Sequence, residues 1–294
     1  MENDCKLLSS RGIMYQCEAH PLSPFSGSSS LANYSKPISE SRVVYVCTNA
    51  LSNFLNILST MRSSFVLVSG DSDESPTSVL GQRVSELLEH SLMVHWFAQN
   101  CDLVHSKITA MPIGLDYHTL RHASDNHEWG PRSSPINQEL LLRDIASRAK
   151  PFWKRIPKCH ANYHFAVKGK KFAHDREEAL LMDRECVDYE RRQIARLDTW
   201  VNQSRYAFVV SPLGNGYDCH RTWEALCLGC IVVIKTSLID PVFEGLPVLI
   251  VDSYKAVTKE LLLSTMEEYR ERRFDLSKLT LAYWRAEIFS PKEL

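Results

Sequence analysis

The feature that most constrains this chain is an alternation of short apolar runs with helical segments. Residues 42–48 (RVVYVCT), 64–69 (SFVLVS), 206–210 (YAFVV), 231–234 (IVVI) and 247–251 (PVLIV) are brief and rich in β-branched side chains. Runs of that kind read as strands buried on both faces. Residues 94–98, 108–113 and 162–167 are further strand candidates. Helical patterns cover residues 51–61, 79–92, 136–149, 176–197, about 219–228, 258–272 and 276–288. The alternation predicts an α/β fold built on doubly wound parallel sheets. A chain of 294 residues is long for one core and suits two Rossmann-like lobes facing across a cleft. The expected boundary lies near residue 150, giving lobes 1–150 and 151–294. The Ser- and Pro-rich residues 21–41 read as an irregular arm.

Charge narrows the function classes. Lys plus Arg is 34 and Asp plus Glu is 35, a net of -1, which argues against a broadly basic nucleic-acid binder. Residues 1–150 carry 12 basic and 15 acidic side chains, and residues 151–294 carry 22 and 20. The opening MENDCKLLSSRG has no apolar run, and no stretch approaches a membrane span, so a cytoplasmic protein is expected. The nine cysteines are scattered and odd in number, which fits reduced thiols. The single pair Cys227 and Cys230 reads as core packing at a helix end.

Residues 209–253 carry the most information: a strand, a Gly loop, a helix start and a second strand. Gly214 and Gly216 allow close backbone approach, and the following helix N-terminus adds partial positive charge. His220 and Arg221 add donors in the first turn, and Glu224 is placed to accept ribose hydroxyls. Singly, Gly-Asn-Gly is a turn, Arg221 and Glu224 are solvated charges, and Trp223 is packing. Together they point to a diphosphate site, although the spacing is not the dinucleotide fingerprint.

Ser211 to Leu226, followed by Asp240-Pro241 and by Glu244 to Pro247, resembles the C-terminal signature of exostosin-like glycosyltransferases. Residues 69–73 and 112–118 resemble shorter, chlorovirus-type members encoded by large DNA viruses of algae. The resemblance implies a GT-B fold with the nucleotide sugar held by the C-terminal lobe. It implies that Ser211, Gly214, Asn215 and Gly216 line the diphosphate, that His220 and Arg221 neutralise it, and that Glu224 holds the ribose. Arg205 would reach the phosphates or the sugar, and Glu244 would face the donor sugar. It further implies an inverting transfer from a UDP-sugar, with a lean to UDP-xylose, onto a glycan hydroxyl in the host cytoplasm. The chain lacks the membrane anchor and second module of animal exostosins, so Golgi residence and heparan polymerisation are not expected.

Asp71-Ser72-Asp73 follows a strand and allows two roles. It could hold a divalent cation, or it could supply a base to the acceptor hydroxyl. The Gly loop and its basic residues already serve the diphosphate, so no metal is expected and Asp73 is the favoured general base over Asp71. Asp116, Tyr117 and His118 are acceptor-side candidates, with His118 the second choice of base. Residues 145–174 contain no acid and hold Arg148, Lys150, Lys154, Arg155, Lys158, Lys168, Lys170 and Lys171, with Phe152 and Trp153 between them. Part of this stretch is expected to face the cleft and attract an anionic donor. The rival readings are a nucleotide-sugar epimerase and a catalytically silent nucleotide-sugar binding module.

Overall fold

The computed structural model describes residues 1–290 apart from Asp125, His164, 166–168 and Lys170. A 3-10 turn at Glu2–Asp4 precedes helix α1 (Ser10–Gln16), which begins where the Ser9 hydroxyl accepts the Gly12 N–H. Strands β1 (Val43–Cys47) and β2 (Phe65–Gly70) flank helix α2 (Leu51–Ile57). Helices α3 (Pro76–Leu80) and α4 (Val84–Leu88) lead to β3 (Met93–Ala98) and β4 (Ile108–Ala110). These four strands are parallel and lie in the order β1-β2-β3-β4.

Helices α5 (His118–His122) and α6 (Pro135–Arg148) connect to the second sheet. Its elements are β5 (Ile156–Ala161), α7 (Ala173–Ala179), β6 (Val187–Tyr189), α8 (Arg196–Gln203), β7 (Tyr206–Val210), α9 (His220–Cys227), β8 (Ile231–Lys235) and β9 (Val248–Val251). The strand order is β6-β5-β7-β8-β9, again all parallel. Helices α10 (Lys259–Glu271) and α11 (Leu281–Phe289) follow.

The mixed α/β class is as expected, with one difference. Among the described residues, the second sheet alone reverses its strand order and so has a topological switch point; the first runs in chain order. Period-two alternation sorts the strand side chains into layers. Val44, Val46, Leu67 and Trp96 pack under α2 and its neighbours, and Phe208, Val210, Ile231 and Val233 pack under α10. The opposite faces meet in one cluster. Tyr45, Val66 and Val68 of the first sheet share it with Val209, Val232 and Ile234 of the second. Helices α1 and α11 complete this shared layer through Ile13, Met14, Trp284 and Ile288. The chain's end returns to its start, with the Leu281 N–H donating to the Lys6 carbonyl and Leu8 N–H to that of Leu279, both at 2.9 Å.

Several elements depart from the sequence expectation. The long helix expected over 176–197 is instead α7, β6 and the start of α8. The helix expected over 79–92 divides into α3 and α4 around Gly81, whose φ of +54° ends the first piece. The strand expected at 162–167 lies upstream, at Ile156–Ala161; of that expected run, His164 and 166–167 fall outside the described residues. Among the described residues, no helix is long and apolar enough to cross a membrane.

The N-terminal turn carries a buried acid. Glu2 is 1% exposed, accepts the Ser9 hydroxyl at 2.8 Å, and leaves Oε1 without a partner. Burial lifts its carboxyl to about 7, outweighing the Ser9 hydrogen bond and the Arg11 charge. A carboxyl raised on folding binds more protons in the native state, so stability falls as pH rises from the unfolded value toward 7. Glu2→Gln, which cannot ionise, is therefore expected to stabilise the protein by about 1–2 kcal/mol at pH 8 and to confer no advantage at pH 4. Melting temperatures of the two proteins across that range check this; an advantage that grows toward acid contradicts it.

Candidate functional site

In a parallel sheet of this order, ligands bind beyond the carboxyl ends of the strands beside the reversal. Here those strands are β5 and β7, neighbours in the sheet although β6 separates them in sequence. Beyond Ala161 and Val210 opens a cleft of about 570 Å³. Its far wall comes from the first sheet's loops, through Asp73, Ile113 and Asp116.

The loop after β7 is fixed by bonds on every side. The Ser211 N–H donates to the Val233 carbonyl at 2.9 Å, and its hydroxyl meets that of Thr222 at 2.8 Å. The Leu213 N–H donates to Asp175, and its carbonyl accepts Arg176 Nε at 2.9 Å. Gly214 lines the cleft, but its N–H is used by the Gly216 carbonyl at 3.1 Å. A Cβ on Gly214 would lie 2.9 Å from Cys219 Sγ, and one on Gly216 would lie 2.7 Å from Asn100 Nδ2. Both glycines are thus required by close packing within the protein, and Gly216 is taken up by Asn100 of the first unit, the one built on the β1–β4 sheet, rather than by the cleft facing the second unit, built on the β5–β9 sheet.

Asn100 and Asp218 join the two units. Asn100 Oδ1 accepts the Asp218 N–H, and Nδ2 donates to the Ser72 carbonyl, both at 2.9 Å. Asp218 Oδ2 accepts the Ile113 N–H at 2.7 Å and Trp223 Nε1 at 2.8 Å. Burial pushes the Asp218 carboxyl up to about 6 despite these donors. Trp223 is core, stacked on Phe243 with centroids 5.8 Å apart.

Helix α9 starts at the cleft, and among the described residues no side chain caps its N-terminus. His220 and Arg221 of its first turn line the cleft. The Arg221 guanidinium is braced on Ser211 Oγ at 3.3 Å and the Pro212 carbonyl at 3.0 Å. Arg176, Arg191, Arg192 and Arg196 line the same space. Burial, then the charge of Arg221, lowers the Arg176 guanidinium, a sign that two cations stand close together. An anion between them would relieve that repulsion. Tyr163 and Phe165 form an aromatic wall, their centroids 4.7 Å apart, with Arg221 over the Tyr163 ring at 5.5 Å.

A second polar group lies deeper. Arg196 is 7% exposed and joins Asp116 Oδ2 at 2.8 Å, Gln138 Oε1 at 3.0 Å and Glu224 Oε1 at 3.9 Å. Burial would raise the Asp116 carboxyl, but the charges of His118, Arg196 and His220 outweigh it and hold it far below the usual carboxylate range. His118 lies 3.2 Å from Asp116, and burial pushes its imidazole down to about 4.

Of the expected site residues, Asp73, Asp116, Gly214, Asn215, His220, Arg221 and Glu224 meet in the cleft, and Asn215 Nδ2 donates to Asp73 Oδ2 at 3.2 Å across the two units. Others lie elsewhere. Arg205 is exposed at the amino end of β7, so the full strand separates it from the cleft edge. Glu244 is exposed on the approach to the amino end of β9, with Lys278 Nζ on its carbonyl. Ser211 acts behind Arg221, and Gly216 acts at the unit interface. Asp71 is buried against Arg11 Nε at 3.3 Å, so the two acids of Asp-Ser-Asp do not converge in the cleft. Tyr117 is buried and donates to Glu139 at 3.3 Å, and His118 faces Asp116 and His220.

The basic stretch is dispersed. Arg148 pairs with Asp144, Lys158 pairs with Asp188 at 3.2 Å, and Arg155 donates to the Leu228 carbonyl at the end of α9. Lys171 reaches Glu74 at 3.7 Å. Phe152 and Trp153 precede β5 and so sit at the sheet's amino edge. Lys168 and Lys170 lie outside the described residues. The cleft's positive charge comes instead from Arg176, Arg191, Arg192 and Arg196, which a reading of 176–197 as one helix conceals. Among the described residues, no group of three or more His, Cys, Asp or Glu side chains is placed to hold a metal ion. The nine cysteines are free, and Cys230 is buried. In comparison with known proteins, the chain matches no protein-family model and no curated protein.

Proposed function

We propose that the protein is an inverting, metal-independent glycosyltransferase of GT-B type that takes a UDP-sugar, UDP-xylose being the favoured donor. The observation that supports it most is the meeting of Arg176, Arg221, His220 and the uncapped start of α9 at the switch point of the second sheet. That combination suits a diphosphate. Tyr163 and Phe165 offer the base a stacking surface, and Glu224 offers the ribose an acceptor. The resemblance of residues 211–247 to exostosin-like enzymes supports the same assignment.

In the proposed reaction Asp73 takes the proton from a glycan hydroxyl. That oxygen bonds to the anomeric carbon as the bond from this carbon to the UDP oxygen breaks, and the electron pair leaves with UDP. Arginines fixed in advance stabilise the departing charge without reorganisation. Because the cleft is lined from both units, positioning contributes as well.

A panel of UDP-sugars followed by thermal shift tests this. At least one, with UDP-xylose first, is expected to raise the melting temperature, and Arg221→Ala to abolish the rise. Saturating ligand at 100 times Kd stabilises by about 2.7 kcal/mol, a readily measured shift. Transfer is expected to persist in chelator. A panel without any shift contradicts the donor site, and chelator-sensitive transfer contradicts the metal-free mechanism.

A further inference from the structure

We infer that Asn100 is a positioning residue for sugar transfer: its buried amide sets the separation between Asp73 on one side of the cleft and the start of α9 on the other. The inference rests on the transferase reading, in which those two parts act on one anomeric carbon. Asn100 lies two residues beyond β3 and is 1% exposed. Its Nδ2 donates to the Ser72 carbonyl and its Oδ1 accepts the Asp218 N–H, both at 2.9 Å. Ser72 immediately precedes Asp73, and Asp218 stands two residues before His220, the first residue of α9. One planar amide therefore spans from the backbone of the Asp73 loop to the backbone that opens the helix.

The surroundings leave this amide little freedom. Asn100 has a φ of +49°, a left-handed conformation that Asn tolerates better than most side chains. Gly216 packs against it so closely that a Cβ there would lie 2.7 Å from Nδ2 and 2.8 Å from Oδ1. Asp at this position would offer the Ser72 carbonyl no donor, and Gln would need the space that Gly216 closes. Gln99, fully buried, grips the same loop one peptide earlier: its Oε1 accepts the Asp71 N–H at 2.9 Å, and its Nε2 donates to the Pro112 carbonyl at 3.2 Å. The Ile113 N–H in turn donates to Asp218 Oδ2, and His220 Nδ1 donates to the Gly114 carbonyl, both at 2.7 Å. The two amides thus tie residues 71–72, 112–114 and 218–220 into one frame.

That frame matters to the chemistry because transfer needs the acceptor oxygen in line with the anomeric carbon, and a misplacement of about 1 Å can cost about 10²-fold in rate. Asp73 is exposed at the cleft, and its direct contact with Asn215 is a solvent-exposed one. Its position therefore depends on the backbone that carries it, which Gln99 and Asn100 hold just before it. Groups that act on substrate are kept in place by such buried supporting bonds. Asn100 does not touch substrate and acts through Asp73.

Steady-state transfer and the UDP-induced thermal shift of the full chain test this. Asn100→Gly keeps a residue suited to the positive φ and removes both bonds. Its kcat is expected to fall about a hundredfold, with donor KM and the UDP shift unchanged. Gly216→Ala, whose methyl group would push the amide aside, is expected to give the same pattern without altering Asn100. In the Asp73→Asn background neither substitution should lower transfer further, because effects of residues that act as a unit are not additive. An equal loss in both backgrounds overturns the inference and leaves the transferase reading standing. An unchanged kcat, or a lost UDP shift, overturns it as well. If UDP binds but no donor supports transfer, the transferase reading fails and hydrogen exchange decides the role of Asn100. UDP should then slow exchange at residues 71–75 as well as 211–221, and Asn100→Gly should confine the effect to 211–221. Protection that still reaches 71–75 in the variant, or never reaches it, refutes the coupling. A protein that binds no UDP overturns both readings.

Discussion

Replacing Arg196 by Met is expected to cost about 3–5 kcal/mol of folding stability, the range for removing one partner of a buried ion pair. The guanidinium holds Asp116 through its carboxylate at 2.8 Å and also through its backbone carbonyl, and it shares Gln138. Asp116 is 4% exposed, and its other close partners are the Thr119 N–H at 2.9 Å and His118 at 3.2 Å, whose imidazole burial pushes down. Without Arg196, an ionised carboxylate remains in the interior deprived of its permanently charged partner. Total stability is typically about 5–15 kcal/mol, so the loss is a large share. Because Asp116 belongs to the first unit and Arg196 to α8 of the second, the damage falls on the joint that frames the cleft. Asp116→Asn in the Arg196→Met background removes the stranded charge and should recover part of the loss. Denaturant unfolding of the single and double variants measures both terms. A single-variant cost below about 1 kcal/mol would place this pair with weak surface bridges and refute the assignment.

Residues 206–210 and 231–234 were readable as strands because β-branched runs buried on both faces need no partner to be recognised, and β7 and β8 fall where expected. Residues 176–197 mislead because their charged, Leu- and Met-containing composition favours a helix. β6 forms there through pairing with β5, a non-local contact that overrides the local preference. In one straight helix, Arg176, Arg191, Arg192 and Arg196 would be spread around its axis and along its length. Broken by β6, the segment brings them to one cleft. Arg205 fails for the opposite reason. It adjoins the readable motif in sequence, but the five residues of β7 carry the chain about 15 Å from one sheet edge to the other. Likewise Gly214 and Gly216 were legible as sites of close approach, yet sequence could not say that the neighbours would be Cys219 and Asn100 rather than a phosphate.

Asp73→Asn is expected to lower sugar transfer by a factor of about 10²–10⁴, the usual contribution of a positioned general base, while leaving the donor-induced thermal shift intact. The choice rests on what surrounds each acid of the first unit. Asp71 is paired with Arg11, and Asp116 is held far below the ordinary range by His118, Arg196 and His220. Asp71 is thus tied up away from the cleft, and a carboxylate held charged as Asp116 is has little affinity for a proton and makes a poor base. Asp73 is exposed, lines the cleft, and is met by the neutral Asn215 amide at 3.2 Å. The Asn variant can still accept that amide, so the loop keeps its place and only proton uptake is lost. The kcat should therefore fall with little change in donor KM, as for a residue that acts in the transition state alone. Transfer unchanged in Asp73→Asn would remove Asp73 from the mechanism. Transfer lost together with the thermal shift would make it a donor-binding residue instead.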